Sequence, residues 1–248
     1  MEFLIDTWYL LGRLVKASLR MPVFVIISIV QPILWLSLFG QLFRSSAANY
    51  LQFLAPGISI MTALFGAAYS GMGLIAEIDR GVLDRLLATP VSRGALMAAR
   101  ILHSSLQVVL QAALILVAGL VLGARPHGGP GGLLLLFLAA ALLGAAFASF
   151  SSALALLARK PELVIAVMNF VVLPMTFLST MLRSADQIPG WIRFTSRFNP
   201  VNWAVAVARA GFDGSWPQLV PALPLLAAFA LVCATVATRA FERYRRAL

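Results

Sequence analysis

The chain has 248 residues, 61% of them hydrophobic, with a net charge of +10 and a mean hydropathy of +0.92. Soluble domains are nearer about 45–50% apolar, and several runs here exceed 18 residues without a charge, so the class is an all-α, multi-span membrane protein and not a nucleic-acid binder. A single cysteine, Cys233, excludes a disulfide within the chain and a cysteine metal cluster.

Residues 1–20 read as an amphipathic helix. Leu4, Trp8, Leu11, Val15 and Leu19 share one face, and Asp6, Arg13, Lys16 and Arg20 fall on the other. Such a helix lies at the membrane interface. Glu2 and Asp6 stand where a cleavable signal would carry basic residues. The first span runs over about 22–43, interrupted by Gln31, Pro32 and Gln41. A short outer loop with Arg44 and Asn49 leads to a second span at about 56–76. Its Gly66, Ala67, Ser70, Gly71 and Gly73 allow close helix contact in lipid.

The interval 77–100 then holds Glu77, Asp79, Arg80, Asp84, Arg85, Arg93 and Arg100. A charge costs roughly 2.5–3.5 kcal/mol at the bilayer centre, so this stretch belongs in water. Val82, Leu83, Leu86 and Leu87 nevertheless share one face of a short helix at about 79–88. Arg80 and Asp84 can pair on its other face, and Pro90 ends it. An amphipathic helix on a loop between two spans has little lipid to gain. Its apolar edge reads as a plug for a partner's groove.

A third span covers about 101–122, with Ser104, Gln107 and Gln111 on one face. The two glutamines either touch cargo or bond to a neighbouring helix. A Gly- and Pro-rich turn at 123–132 precedes a fourth span at 133–158, which repeats small residues at Gly144, Ala148 and Ser152. After the polar break at 159–162, a fifth span at 163–182 contains Asn169 and Pro174. Gln31, Gln107, Gln111 and Asn169 are the candidate lining of a cargo path. The interval 183–218 is too long for a turn. Asn199 and Pro200 start a helix there as N-cap and first residue. The helix, 201–212, is too short to span. Trp191, Trp203 and Trp216 suit an interface belt, so this is a re-entrant or interfacial pair on the outer side. The sixth span, 219–238, ends in a basic tail.

With the N-terminus inside, thirteen Lys and Arg residues fall on the inner side and six on the outer. The positive-inside rule therefore puts both termini in the cytoplasm. A phosphate-binding loop needs Gly-Lys-Ser/Thr. Lys16 precedes Ala17 and Lys160 precedes Pro161, so neither lysine serves and any ATP dependence needs another subunit. All nine acids fall outside the proposed spans, which argues against an ion-coupled carrier. A secondary transporter of a hydrophobic solute is the alternative reading. His103 sits at a span end and His127 in the outer turn, where histidines are more often interfacial residues than the base of a hydrolase.

Glu77, Gly81, Leu83, Asp84, Leu86, Leu87 and the run Thr89-Pro90-Val91-Ser92-Arg93 are similar to the cytoplasmic loop of ABC-2 type exporter permeases. Val82 stands where that family usually has Thr, and Asp84 where it has Glu. Asn199, Pro200 and Arg209 match the helix before the family's last span, the re-entrant helix that also holds Trp203. The resemblance covers nearly all of residues 1–248 as one permease domain. It implies a six-span subunit, not itself an enzyme, that works with a second permease copy and a separate ATP-binding subunit in a bacterial plasma membrane. ATP and magnesium would be bound by that subunit. Glu77, Arg80, Gly81, Val82, Leu83, Asp84, Leu86, Leu87, Thr89 and Pro90 would form the coupling helix that touches it. The cargo implied is hydrophobic or amphipathic, a drug or antibiotic first and a lipid or lipid-linked glycan second.

Overall fold

The computed structural model describes residues 2–20, 22–42, 50–88, 92–215 and 219–246. Expectations at the 43–49 loop, Thr89, Pro90 and Trp216, and for the side chains of Asp84 and Leu87, lie outside the described residues. Eleven α-helices and one 3-10 turn make up the described chain, and no strand occurs among those residues.

Helix α1, Glu2–Leu19, precedes α2, Pro22–Leu42. Helix α3, Tyr50–Ala68, continues after a break at Tyr69 and Ser70 into α4, Gly71–Asp79. The six-residue α5, Val82–Leu87, is followed by α6, Arg93–Val121. Then come α7, Gly129–Ala158, and α8, Pro161–Phe177. The 3-10 turn Ala185–Gln187 leads to α9, Gly190–Ser196, α10, Pro200–Asp213, and α11, Leu219–Arg246.

Among the described residues, four segments are long and apolar enough to cross a membrane: Tyr50–Asp79, Gly94–Val121, Gly129–Ala158 and Pro221–Phe241. The uncharged α2 has 21 residues and α8 has 17. Together they fill the six expected positions, although α8 reaches only about 25 Å at 1.5 Å per residue. The second span begins at Tyr50, six residues before the expected start, with Pro56 inside the helix. A proline there removes one backbone bond and is tolerated when neighbours support the helix. The fifth is shorter than expected because the chain beyond Phe177 turns, and the carbonyls of Leu178 and Thr180 there accept from Asn199 and Arg209.

Helix α7 is the centre of the bundle and packs on α3, α4, α6, α8, α10 and α11. Its Gly144, Ala148, Ser151 and Ser152 make that possible, since small residues let helix backbones approach in lipid. A Cβ on Gly144 would lie 2.5 Å from Val108 of α6. One on Gly132 would lie 1.9 Å from the Gly211 carbonyl oxygen of α10, a backbone-on-backbone approach only glycine permits. At the α3–α4 break the Gly71 N–H donates to Ser151 Oγ at 3.1 Å, which fixes the kink against α7. On its outer side α6 shows an unbroken stripe of exposed Leu102, Leu106, Leu110, Leu114, Val117 and Val121, a face for lipid.

Candidate functional site

The charged stretch after the second span begins where α4 ends. Arg80 N–H donates to Ala76 O and Gly81 N–H to Ile78 O, closing the helix. Gly81 then has φ +64°, a left-handed conformation that suits glycine. That residue reverses the chain into α5. The apolar edge of α5 does not point uniformly outward. Leu83 is fully buried in the permease's own core, and Val82 and Leu86 are half-buried. Asp79, Arg80, Arg85 and Ala88 are exposed. The surface offered at this end is therefore charged, with apolar flanks. Ser92 begins α6: its Oγ accepts from Ala95 N–H at 3.3 Å as an N-cap, and its own N–H donates to Asp6 Oδ2 of α1 at 3.2 Å.

Glu77 is the hub of this end. Its Oε1 accepts from Arg13 Nη2 of α1 at 2.9 Å, and its Oε2 accepts from Arg100 Nη2 of α6. Arg100 is only 6% exposed. A buried guanidinium needs a counter-charge, so Glu77 holds α1, α4 and α6 to one another. A second layer repeats the connection: Ser18 Oγ lies 2.9 Å from His103 Nε2, and Gln107 Nε2 donates to Ser18 Oγ at 3.4 Å. The α1–α6 pairings advance in one direction, from Phe3 beside Gly94 to Ser18 beside Gln107, so the two helices run alongside each other. Neither Arg13 nor Arg100 was among the sequence candidates. The available signal was a lone arginine early in an apolar helix.

The opposite end is tied by amides and one arginine. Gln52 accepts from Arg125 N–H at 2.8 Å and donates to Asp213 Oδ1 at 3.3 Å. The helix expected after Asn199 forms, with Asn199 Oδ1 capping Val201 N–H at 2.9 Å and Pro200 as first residue. Asn199 Nδ2 also donates to the carbonyls of Met175 and Leu178. Trp203 Nε1 donates to Arg197 O at 2.8 Å. Arg209 donates to the carbonyls of Phe53, Thr180 and Met181, at 3.3, 2.8 and 2.7 Å. Its Cζ also stands 3.6 Å from the centre of the Phe53 ring. Three carbonyls and a π face satisfy this cation with no direct ion pair among the described residues, while the Asp213 carboxylate adds a favourable charge from further off.

The four cargo-path candidates fall in different seams. Gln107 bonds to α1, and Gln111 is buried where a Cβ on Gly66 would meet it. Asn169 Oδ1 accepts from Tyr69 Oη at 2.5 Å, joining α8 to the kink. Gln31 is exposed on α2.

An all-helical bundle with several spans, one charged loop helix braced against its own core, and a short helix pair before the last span is a polytopic membrane permease. The chain belongs to the ABC-2 type transporter family, whose pattern matches residues 6–212. It is 30% identical over 213 residues to the daunorubicin resistance ABC transporter permease protein DrrB1 of Streptomyces coeruleorubidus, covering 83% of this chain and 75% of that one. It is 29% identical over 250 residues to the probable doxorubicin resistance ABC transporter permease protein DrrC of Mycobacterium tuberculosis, covering 99% and 90%. The putative transport permease ycf38 of Cyanophora paradoxa is 34% identical over 225 residues, covering 86% and 77%.

Proposed function

We propose that this permease is the membrane-spanning subunit of an ATP-driven exporter for hydrophobic or amphipathic drugs. It would work in a bacterial plasma membrane with both termini in the cytoplasm, paired with a second permease copy. ATP and magnesium would be bound by a separate subunit, since the chain offers no phosphate-binding loop. The observation that carries the reading is the Glu77 hub. A push on the exposed Arg80 and Arg85 would be delivered, through one carboxylate, to α1, α4 and α6 together, because Glu77 pairs with both Arg13 and Arg100. Rigid elements joined by such a network can move as a unit. The drug cargo is supported by the names of the DrrB1 and DrrC relatives.

The test is anthracycline accumulation in inverted vesicles that contain this chain and its ATP-binding subunit. ATP-dependent uptake that needs both chains is expected. Uptake that persists without ATP, driven by an ion gradient, would refute the reading in favour of a secondary carrier.

A further inference from the structure

The turn between α6 and α7 is seated on the end of α10 by backbone contacts. The N–H groups of His127 and Gly128 both donate to Phe212 O, at 2.8 and 3.1 Å. A Cβ on Gly128 would collide with Gly211 O, so only glycine permits the approach. This contact sets the side chain of His127 near that of Asp213, the last residue of α10. Three acceptors then converge on one atom, Gln52 Nε2 of α3. Arg125 O lies 2.6 Å from it, His127 Nδ1 3.3 Å and Asp213 Oδ1 3.3 Å. The amide is held in this orientation, because Gln52 Oε1 accepts from Arg125 N–H at 2.8 Å. A primary amide nitrogen carries two hydrogens. One goes to Arg125 O, and the other cannot serve both the imidazole and the carboxylate. A carbonyl, an imidazole nitrogen and a carboxylate around one point are a donor set for a cation. The C-terminal end of α10 adds its partial negative charge. His127 and Asp213 are exposed, so an ion reaches them from solvent.

We propose that His127 and Asp213, with Arg125 O, form a divalent-metal site of the zinc class at the end of the bundle opposite Glu77. The nitrogen ligand selects such an ion over calcium or magnesium, which take oxygen donors. Zinc holds imidazole nitrogen at about 2.0–2.1 Å and carboxylate oxygen at about 2.0–2.2 Å. Rotations of two exposed side chains reach those distances once the Gln52 amide yields its place, with water completing the shell. Structural zinc sites are closed by four protein ligands. Two side chains and a carbonyl make this one an exchanging, regulatory site. Arg209, one turn before Asp213, is the cation that opposes it, and its guanidinium is already taken up by three carbonyls. Bound metal ties the 123–128 turn to α10, and so pins the short helix pair that precedes the last span. The inference rests on the fold, and not on the cargo or the ATP-binding partner.

The experiment uses the full chain, purified on a histidine-free tag, stripped with a chelator and carrying Cys233→Ala so that no thiol competes. Zinc is titrated against a chromophoric chelator, and the unfolding midpoint is followed in parallel. The expected result is one saturable zinc per chain and a raised midpoint, since an ion that binds the native state stabilises it. Calcium and magnesium at the same concentrations should leave the midpoint unchanged. His127→Ala and Asp213→Asn should each raise the half-saturating zinc concentration at least about tenfold, because loss of even an outer-shell partner costs about 10–100-fold. Both side chains are exposed, so folded variants are expected, checked by a metal-free midpoint equal to the native one. Absence of saturable binding, or binding as tight in either variant as in the native chain, would overturn the inference. Equal stabilisation by calcium would overturn it as well. Intact zinc binding in a chain that fails to export drug would support the site and count against the export reading alone.

Discussion

Replacing Glu77 by Gln removes one negative charge and leaves two guanidiniums facing it. Arg13 is 35% exposed at its side chain, so water screens it and its share is under about 1 kcal/mol. Arg100 is 8% exposed at its side chain and loses its ion-pair partner. Breaking a buried pair from one side costs about 3–5 kcal/mol, because an uncompensated charge remains buried. The second half of the argument is a rescue. Arg100→Met with Glu77→Gln removes the stranded charge and keeps the volume, so most of the loss should return. The assay is thermal unfolding of the purified permease in detergent. At about 2–4 °C per kcal/mol for a chain of this size, Glu77→Gln should lower the midpoint by roughly 6–20 °C. A shift within about 0.5 kcal/mol, or a double variant no better than the single one, would refute the hub.

Other predictions concern the loop, the helix seams and the topology. Leu83→Ala should cost about 2–5 kcal/mol of stability as a core truncation, whereas Leu86→Ala, half-buried, should cost clearly less; unfolding midpoints compare them directly. Gly211→Ala places a Cβ 2.4 Å from the Gly132 carbonyl oxygen and should sharply reduce folded yield on size exclusion. Gly73→Ala, whose Cβ meets nothing within 4 Å, should not. Single cysteines on a Cys233→Ala background should react with an impermeant thiol reagent in intact cells at positions 125 and 184 but not at 93 and 245; the reverse pattern would invert the orientation.

What could be read from the chain was local or repetitive. Asn199-Pro200 announces a helix start because the cap and the fixed proline φ act within one turn, and the helix begins there. Long uncharged runs give the spans, and small residues at Gly66 and Gly144 mark faces that do pack on α6. Pairings between distant segments were hidden. Arg13, Glu77 and Arg100 are 64 and 23 residues apart, and any inner-side acid could have met either arginine. The side of α5 that faces inward depends on how Gly81 turns the chain, so an amphipathic pattern read as a plug for a partner turned out to include a core leucine. Gln107 and Gln111 carried two readings, and only the arrangement of α1 and α3 around α6 puts both in helix seams. Pro56 signals a helix boundary by propensity. Only packing against α6, α7 and α10 sustains the helix that begins before it.

The central claim is that an ATP-binding subunit engages the charged surface on which Arg80 and Arg85 are exposed. Arg85 is exposed on α5 and forms no ion pair among the described residues, so Arg85→Glu spares the fold while reversing the charge presented. The measurement is recovery of the ATP-binding subunit with tagged native and Arg85→Glu permease at equal expression and equal unfolding midpoint. The account predicts a recovery lower by at least about tenfold, equivalent to roughly 1.4 kcal/mol, with transport lost in parallel. Equal recovery together with unaltered transport would contradict it.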